Sequence, residues 1–141
     1  DRVANIFHEM RGLIVKTYAN TVAIMFRIFL EMSVDVYIET FKLLKEGQLT
    51  SSTSRKTLRQ KLQTVIEHLK ESNVANRDLT KGMEFAMNNN NSPLSPETMN
   101  SYVHNYRFSP IPDSLILEWD NVQPFFECLW QSVANQKGKE Q

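Results

Sequence analysis

The sequence has one cysteine, four glycines and no net charge, and each shortage removes a class of function. A lone Cys128 permits neither an internal disulfide nor a cysteine-based zinc site, and it fits a reducing, cytoplasmic setting. With so few glycines there is no glycine-rich phosphate loop, no dinucleotide fingerprint and no serine elbow. The 16 basic and 16 acidic side chains cancel. That balance argues against a protein that grips nucleic acid by bulk electrostatics, although a local basic patch remains open to it. The longest apolar stretch, Thr21 to Phe41, carries Arg27, Glu31, Asp35 and Glu39, so it is not expected to span a membrane. No basic-then-apolar leader with a small-residue cleavage site is visible, and nothing suggests secretion. His8, His68 and His104 lack paired ligand spacing, so neither a metal nor a cofactor is implied. The chain starts at Asp1 without a methionine and is expected to be a segment of a longer protein.

What is present reads as helix. A length of 141 residues fits one domain, since domains commonly run ~100–150 residues. Arg2 to Arg11 sets Val3, Ile6, Phe7 and Met10 at helical spacing. Asn20 can cap a second helix over Thr21–Lys45, stopped by Gly47. That helix is apolar around most of its girth, as the central member of a bundle should be. Ser52, Thr53 or Ser54 can cap a third helix from Arg55 to Ser72, with Leu58, Leu62, Val65, Ile66 and Leu69 as its buried stripe. Asp78 can cap a short helix to Met87, weakened by Gly82. The asparagine run 88–91 and Ser92-Pro93 mark an irregular surface loop.

Ser95-Pro96-Glu97 then gives a cap, a first-turn proline and an early acid for a short helix to His104. A last helix, Asp113–Val133, repeats Leu115, Trp119, Val122, Phe126, Leu129 and Val133 at spacings of four and three. Pro124 is expected to kink or break it. Residues 134–141 are a polar tail expected to fray. The fold class is therefore all-α, a compact bundle of five to six helices in a single domain over residues 1–133.

The zero net charge conceals a split. Residues 1–70 hold 11 basic and 7 acidic side chains, and residues 71–141 hold 5 and 9, so the halves carry +4 and −4. Such a division suits docking of the two halves on each other or antiparallel association of two copies; chance is the plain alternative.

The most informative stretch is Met99-Asn100-Ser101-Tyr102-Val103-His104-Asn105, late in a short helix before a proline-bounded loop. Together with a long apolar helix containing Arg27 and Glu31, and a final amphipathic helix, it resembles the HEPN superfamily. That resemblance covers nearly the whole chain in helix order and length, on a short motif. It implies a helical bundle of a kind common in prokaryotic toxin and antiviral defence systems. Many members are metal-independent ribonucleases that act as dimers. Their signature is an arginine, a polar residue, three further residues and a histidine, brought together from two chains. Asn100 falls on the polar position and His104 on the histidine, whereas Met99 occupies the arginine position. In the family's reaction the arginine would stabilise charge on the phosphate while the histidine moves the proton of the 2′-hydroxyl. A thioether has no charge to offer. Loss of one such stabiliser costs roughly 10²–10³ in rate, by analogy with removing an oxyanion donor.

Each candidate has a plainer explanation. A histidine in a last helical turn often answers the exposed carbonyls and the helix dipole, with Asn105 supplying a left-handed stop. Arg27, Glu31 and Asp35, at four-residue spacing, are either a solvated edge or, as the resemblance implies, an Arg/Glu pair facing the cleft beside the motif. Arg27, or Arg107 just after His104, would then stand in for the missing arginine. Arg55, Lys56, Arg59 and Lys61 can meet a phosphate backbone, but such runs are usually solvated helix faces. Tyr102, Tyr106 and Phe108 can stack on a base or simply pack under the proline loop. Trp119, Phe126, Leu129 and Trp130 are candidate interface or core anchors.

The favoured function is a non-catalytic, HEPN-like interaction or dimerisation domain of a larger defence-type protein, cytoplasmic and without cofactor. Its partner would be a second copy or another domain of the same protein. The alternative is a metal-independent ribonuclease, or other RNA- or DNA-processing domain, using His104, Asn100 and Arg27 in a composite site.

Overall fold

A helix apolar on several sides must be covered on several sides, and α2 (Ala19–Phe41) is. The structure, a computed structural model, describes residues 1–45, 48–49, 56–72 and 77–141. Among them six helices and no strand form the chain: α1 (Arg2–Arg11), α2, α3 (Leu58–Glu71), α4 (Arg77–Asn88), α5 (Pro96–His104) and α6 (Pro112–Lys139). α1, α3, α5 and α6 all pack on α2, while α4 lies against α3 and α6. The result is an all-α helical bundle with one continuous core. Leu30, Val34, Tyr37 and Ile38 of α2 meet Leu62, Val65 and Leu69 of α3 and Val122, Phe125 and Leu129 of α6 there.

Helix ends follow local chemistry more closely than the sequence pattern suggests. α2 stops at Phe41, short of the expected Lys45. Lys42 takes a left-handed conformation (φ 55°, ψ 44°), and the N–H groups of Lys42 and Leu43 return to the carbonyls of Glu39 and Ile38. Gly47, the expected stop, lies outside the described residues. α2 begins at Ala19, with Tyr18 in the cap position and no side-chain cap, so Asn20 sits inside the first turn. The turn that joins the Thr17 and Tyr18 amides to the Ile14 carbonyl already delivers the chain in helical sense.

α3 starts at Leu58, later than Arg55, because Thr57 and Gln60 form a reciprocal capping box. Ser52, Thr53 and Ser54 lie outside the described residues. Asp78 falls inside the first turn of α4, which begins at Arg77. α5 spans the expected Pro96–His104, and its start is capped as expected, with the Ser95 hydroxyl accepting from the Thr98 amide.

Pro124 does not break α6. It deletes one backbone hydrogen bond, and the buried Val122, Phe125 and Phe126 on either side hold the helix through it. Nor is the polar tail a frayed coil, since α6 runs on to Lys139. The Gln131 amide donates to Asn135 (2.9 Å), and Lys137 and Lys139 answer the helix dipole in the last turn.

Gly82 has a purpose the sequence did not show. A methyl group there would lie 2.2 Å from the Asn121 carbonyl oxygen, so this glycine is what lets α4 approach α6. The asparagine loop is likewise better anchored than its composition suggests. Ser92 is buried and donates to the buried carboxylate of Glu118 (3.0 Å), and the Thr98 hydroxyl donates to the Asn90 carbonyl (2.9 Å).

Ion pairs join the two halves of the sequence. Lys16 meets Asp113 (3.7 Å), Arg59 meets Glu97 (2.6 Å) and Lys70 meets Glu84. In each, the base comes from residues 1–70 and the acid from residues 71–141.

Candidate functional site

The proline start and serine cap of α5 fix its rotation against α2, and that rotation sorts the motif residues. Met99 turns into the core and is 1% exposed. Asn100, the next residue, faces outward, and its side-chain oxygen accepts from Arg27 Nη1 at 3.2 Å. His104 lies one turn further along the same stripe as Asn100, in the last turn of α5, and is exposed. Thus the fold brings Arg27, Asn100 and His104 of the proposed composite site to one surface. It also explains the methionine. Position 99 is a core position, and a charge there would have to leave the core to act.

The other expected substitute, Arg107, is held elsewhere: its Nε donates to the Tyr106 hydroxyl (2.9 Å) and its guanidinium sits 5.3 Å from that ring. Asn105 is extended (φ −118°, ψ 104°) and is not the left-handed stop that the sequence suggested. Its amide bonds to the Ser101 carbonyl at 2.9 Å. Tyr102 packs on Phe108, with ring centroids 5.3 Å apart, and burial raises its phenol above the usual range. Tyr106 is 89% exposed.

The polar line on α2 divides. Arg27 serves α5, whereas Glu31 and Asp35 turn to Lys61 of α3, at 3.6 and 2.6 Å. Lys61 is fully buried, which corrects its assignment to a solvated basic face. The signal was legible in the spacing: Lys61 lies three residues after Leu58 and four before Val65, on the apolar stripe itself.

Arg59, also a candidate nucleic-acid contact, is engaged within the fold. One nitrogen donates to both oxygens of Glu97 (2.6 Å each), and the other reaches the Met87 carbonyl at the end of α4. The Arg59 hydrogen bond holds the Glu97 carboxyl below its ordinary range. Lys56 is half-buried, and Arg55 lies outside the described residues.

No protein-family model, curated protein or solved structure matches this chain. Geometry must therefore carry the functional reading. Among the described residues no helix is long and apolar enough to cross a membrane, and no group of three or more His, Cys, Asp or Glu is placed to hold a metal ion.

Of the four anchors on α6, Phe126 and Leu129 belong to the core, so only the half-buried Trp119 and Trp130 have surface left to offer. All but Leu129 border an aromatic cluster. Trp119 meets the Phe26 ring edge-on at 5.5 Å and stacks on Phe126 at 5.8 Å; Phe29 lies 4.8 Å from Phe126 and 5.3 Å from Phe7. The Trp130 indole N–H donates to the buried Ser33 hydroxyl at 3.2 Å. Cys128 is half-buried, and burial raises its thiol, which suits an unreactive side chain.

Two cavities open where α1 leans on this cluster. One, of about 480 Å³, is lined by Phe7, Phe29, Trp119, Phe126 and Trp130. The other, of about 580 Å³, is lined by Arg11, Phe26 and Leu115 among others. Sequence periodicity marks these rings as core and cannot reveal the space left between them.

Proposed function

We propose that this chain is a non-catalytic helical interaction domain of HEPN type that associates with a second copy of itself through the surface around Arg27 and Asn100, as part of a larger defence-type protein. The observation that carries this reading is the set of large apolar side chains exposed around that contact. Ile24 and Ile28 flank Arg27 on α2, and Val103 follows Asn100 by three residues on α5; they are 40%, 38% and 45% exposed. Tyr106 extends the same end of α5 into solvent. Clustered exposed apolar groups of this kind mark contact surfaces, and a twofold axis through them would pair each surface with its own copy. The helix order and the position of Asn100 and His104 support the HEPN resemblance. The buried Met99 supports a domain that binds without cutting.

The Arg27–Asn100 hydrogen bond also favours a second reading, RNA cleavage from a composite site in which Arg27 steadies the phosphate and His104 moves the proton. One preparation separates the two. At micromolar concentration, sedimentation of the wild-type chain should give twice the chain mass, and Ile28→Asp should give a monomer with unchanged helical circular dichroism. A strict monomer for the wild type would end the first reading. Metal-independent RNA cleavage abolished by His104→Ala would put the second in its place.

A further inference from the structure

The larger part of the aromatic cluster serves the core, yet one side of it is open. The 480 Å³ cavity between α1 and α6 presents the rings of Phe7, Phe29, Trp119, Phe126 and Trp130, and the polar side chains at its edge are Asp1, Gln123 and Glu127. No lysine, arginine or histidine lines it. The Asp1 carboxylate is occupied in capping the Val3 amide (2.9 Å), whereas Glu127, exposed, accepts only a neutral amide from Gln123 (3.0 Å). Ring faces carry partial negative charge and attract cations, most strongly when water is excluded. The molecule already uses this chemistry next door, where the Arg11 guanidinium lies 5.5 Å from the Phe7 centroid.

We propose that this cavity binds an apolar organic cation, a tertiary or quaternary ammonium on a hydrocarbon or aryl body. The body would fill the space between the rings, and the ammonium would sit toward Glu127. A cavity of this size accommodates such a ligand. An anion would find no lysine, arginine or histidine side chain there and would face the Asp1 and Glu127 carboxylates. The site shares no residue with the Arg27–Asn100 surface, so it stands or falls independently of the association proposed there.

Both tryptophans of the chain line the cavity, so their fluorescence reports directly on its occupancy. The probe is benzyltrimethylammonium, compared with its neutral carbon isostere neopentylbenzene. The cation should shift tryptophan emission saturably and bind about tenfold more tightly than the isostere. Glu127→Gln, a change at an exposed position, should weaken the cation about threefold and leave the isostere unaffected. Trp130→Phe keeps a ring but a poorer one, and should weaken the cation as well. Equal affinity for both probes would overturn the cation assignment. No response to the cation at millimolar concentration would overturn the site, as would a response indifferent to both substitutions.

Discussion

At the scale of single residues, Lys61 is a buried cation held by two carboxylates. Its side chain is fully buried, while its partners Asp35 and Glu31 keep 34% and 26% of their side-chain surface. The two members of this ion pair therefore differ in what their loss leaves behind. Removing the lysine leaves two carboxylates that can still reach water. Removing Asp35 leaves a buried ammonium with only the more distant Glu31 to balance it. Breaking a buried pair from the side that strands a charge costs about 3–5 kcal/mol, whereas a change that leaves no charge stranded in the core, as when a whole buried pair is replaced by apolar groups of similar volume, is often close to neutral. Asp35→Ala should therefore lower unfolding stability by about 3 kcal/mol, and Lys61→Met should stay within about 1 kcal/mol of wild type. Urea titrations of the two variants at neutral pH measure the contrast, and equal losses would mean that the lysine is not buried as described.

Helices pack as units, and the contact of α4 with α6 turns on one missing methyl group. Alanine at position 82 would favour the helical backbone by ~1 kcal/mol over glycine. It would also put a carbon 2.2 Å from the Asn121 carbonyl oxygen, a backbone atom with no side-chain freedom to yield. Overpacking of that kind costs about 1–3 kcal/mol and should outweigh the propensity gain. Gly82→Ala is thus expected to lower the melting temperature by roughly 3–6 °C, where propensity alone would raise it. This element also shows why some of the fold was legible in the sequence and some was not. The start of α5 could be read outright, because serine, proline and early acid state a helix start locally. Gly82 looked like a weakness, because its reason lies on another helix 39 residues away. The end of α2 was missed for the opposite reason: a lysine took the left-handed stop that glycine usually supplies. The meeting of Arg27 with Asn100 spans 73 residues and depends on how α5 is rotated, which no local pattern encodes.

Across the whole molecule, ion pairs and aromatic packing are two of the contacts that join the basic first half to the acidic second half. The pairs follow the charge split, but they lie in or near solvent. Lys16 and Asp113 keep 73% and 81% of their side-chain surface, and the members of the other two pairs keep 30–53%. Pairs so exposed contribute roughly 0.2–1 kcal/mol each and weaken in salt. The aromatic seam is of a different order. Phe126 is 3% exposed and touches Phe26 and Phe29 of α2 as well as Trp119 and Phe125 of its own helix. Truncating a phenylalanine in such a site costs about 3–5 kcal/mol, because the surrounding rings cannot close the space left behind. Raising the ionic strength well above physiological should then lower unfolding stability by about 1–2 kcal/mol at most, while Phe126→Ala should remove about twice that or more at any salt concentration. Urea unfolding of wild type and variant at low and high salt reads both effects from one set of curves. A salt effect equal to the Phe126→Ala loss would mean that charge, and not the aromatic seam, holds the halves together.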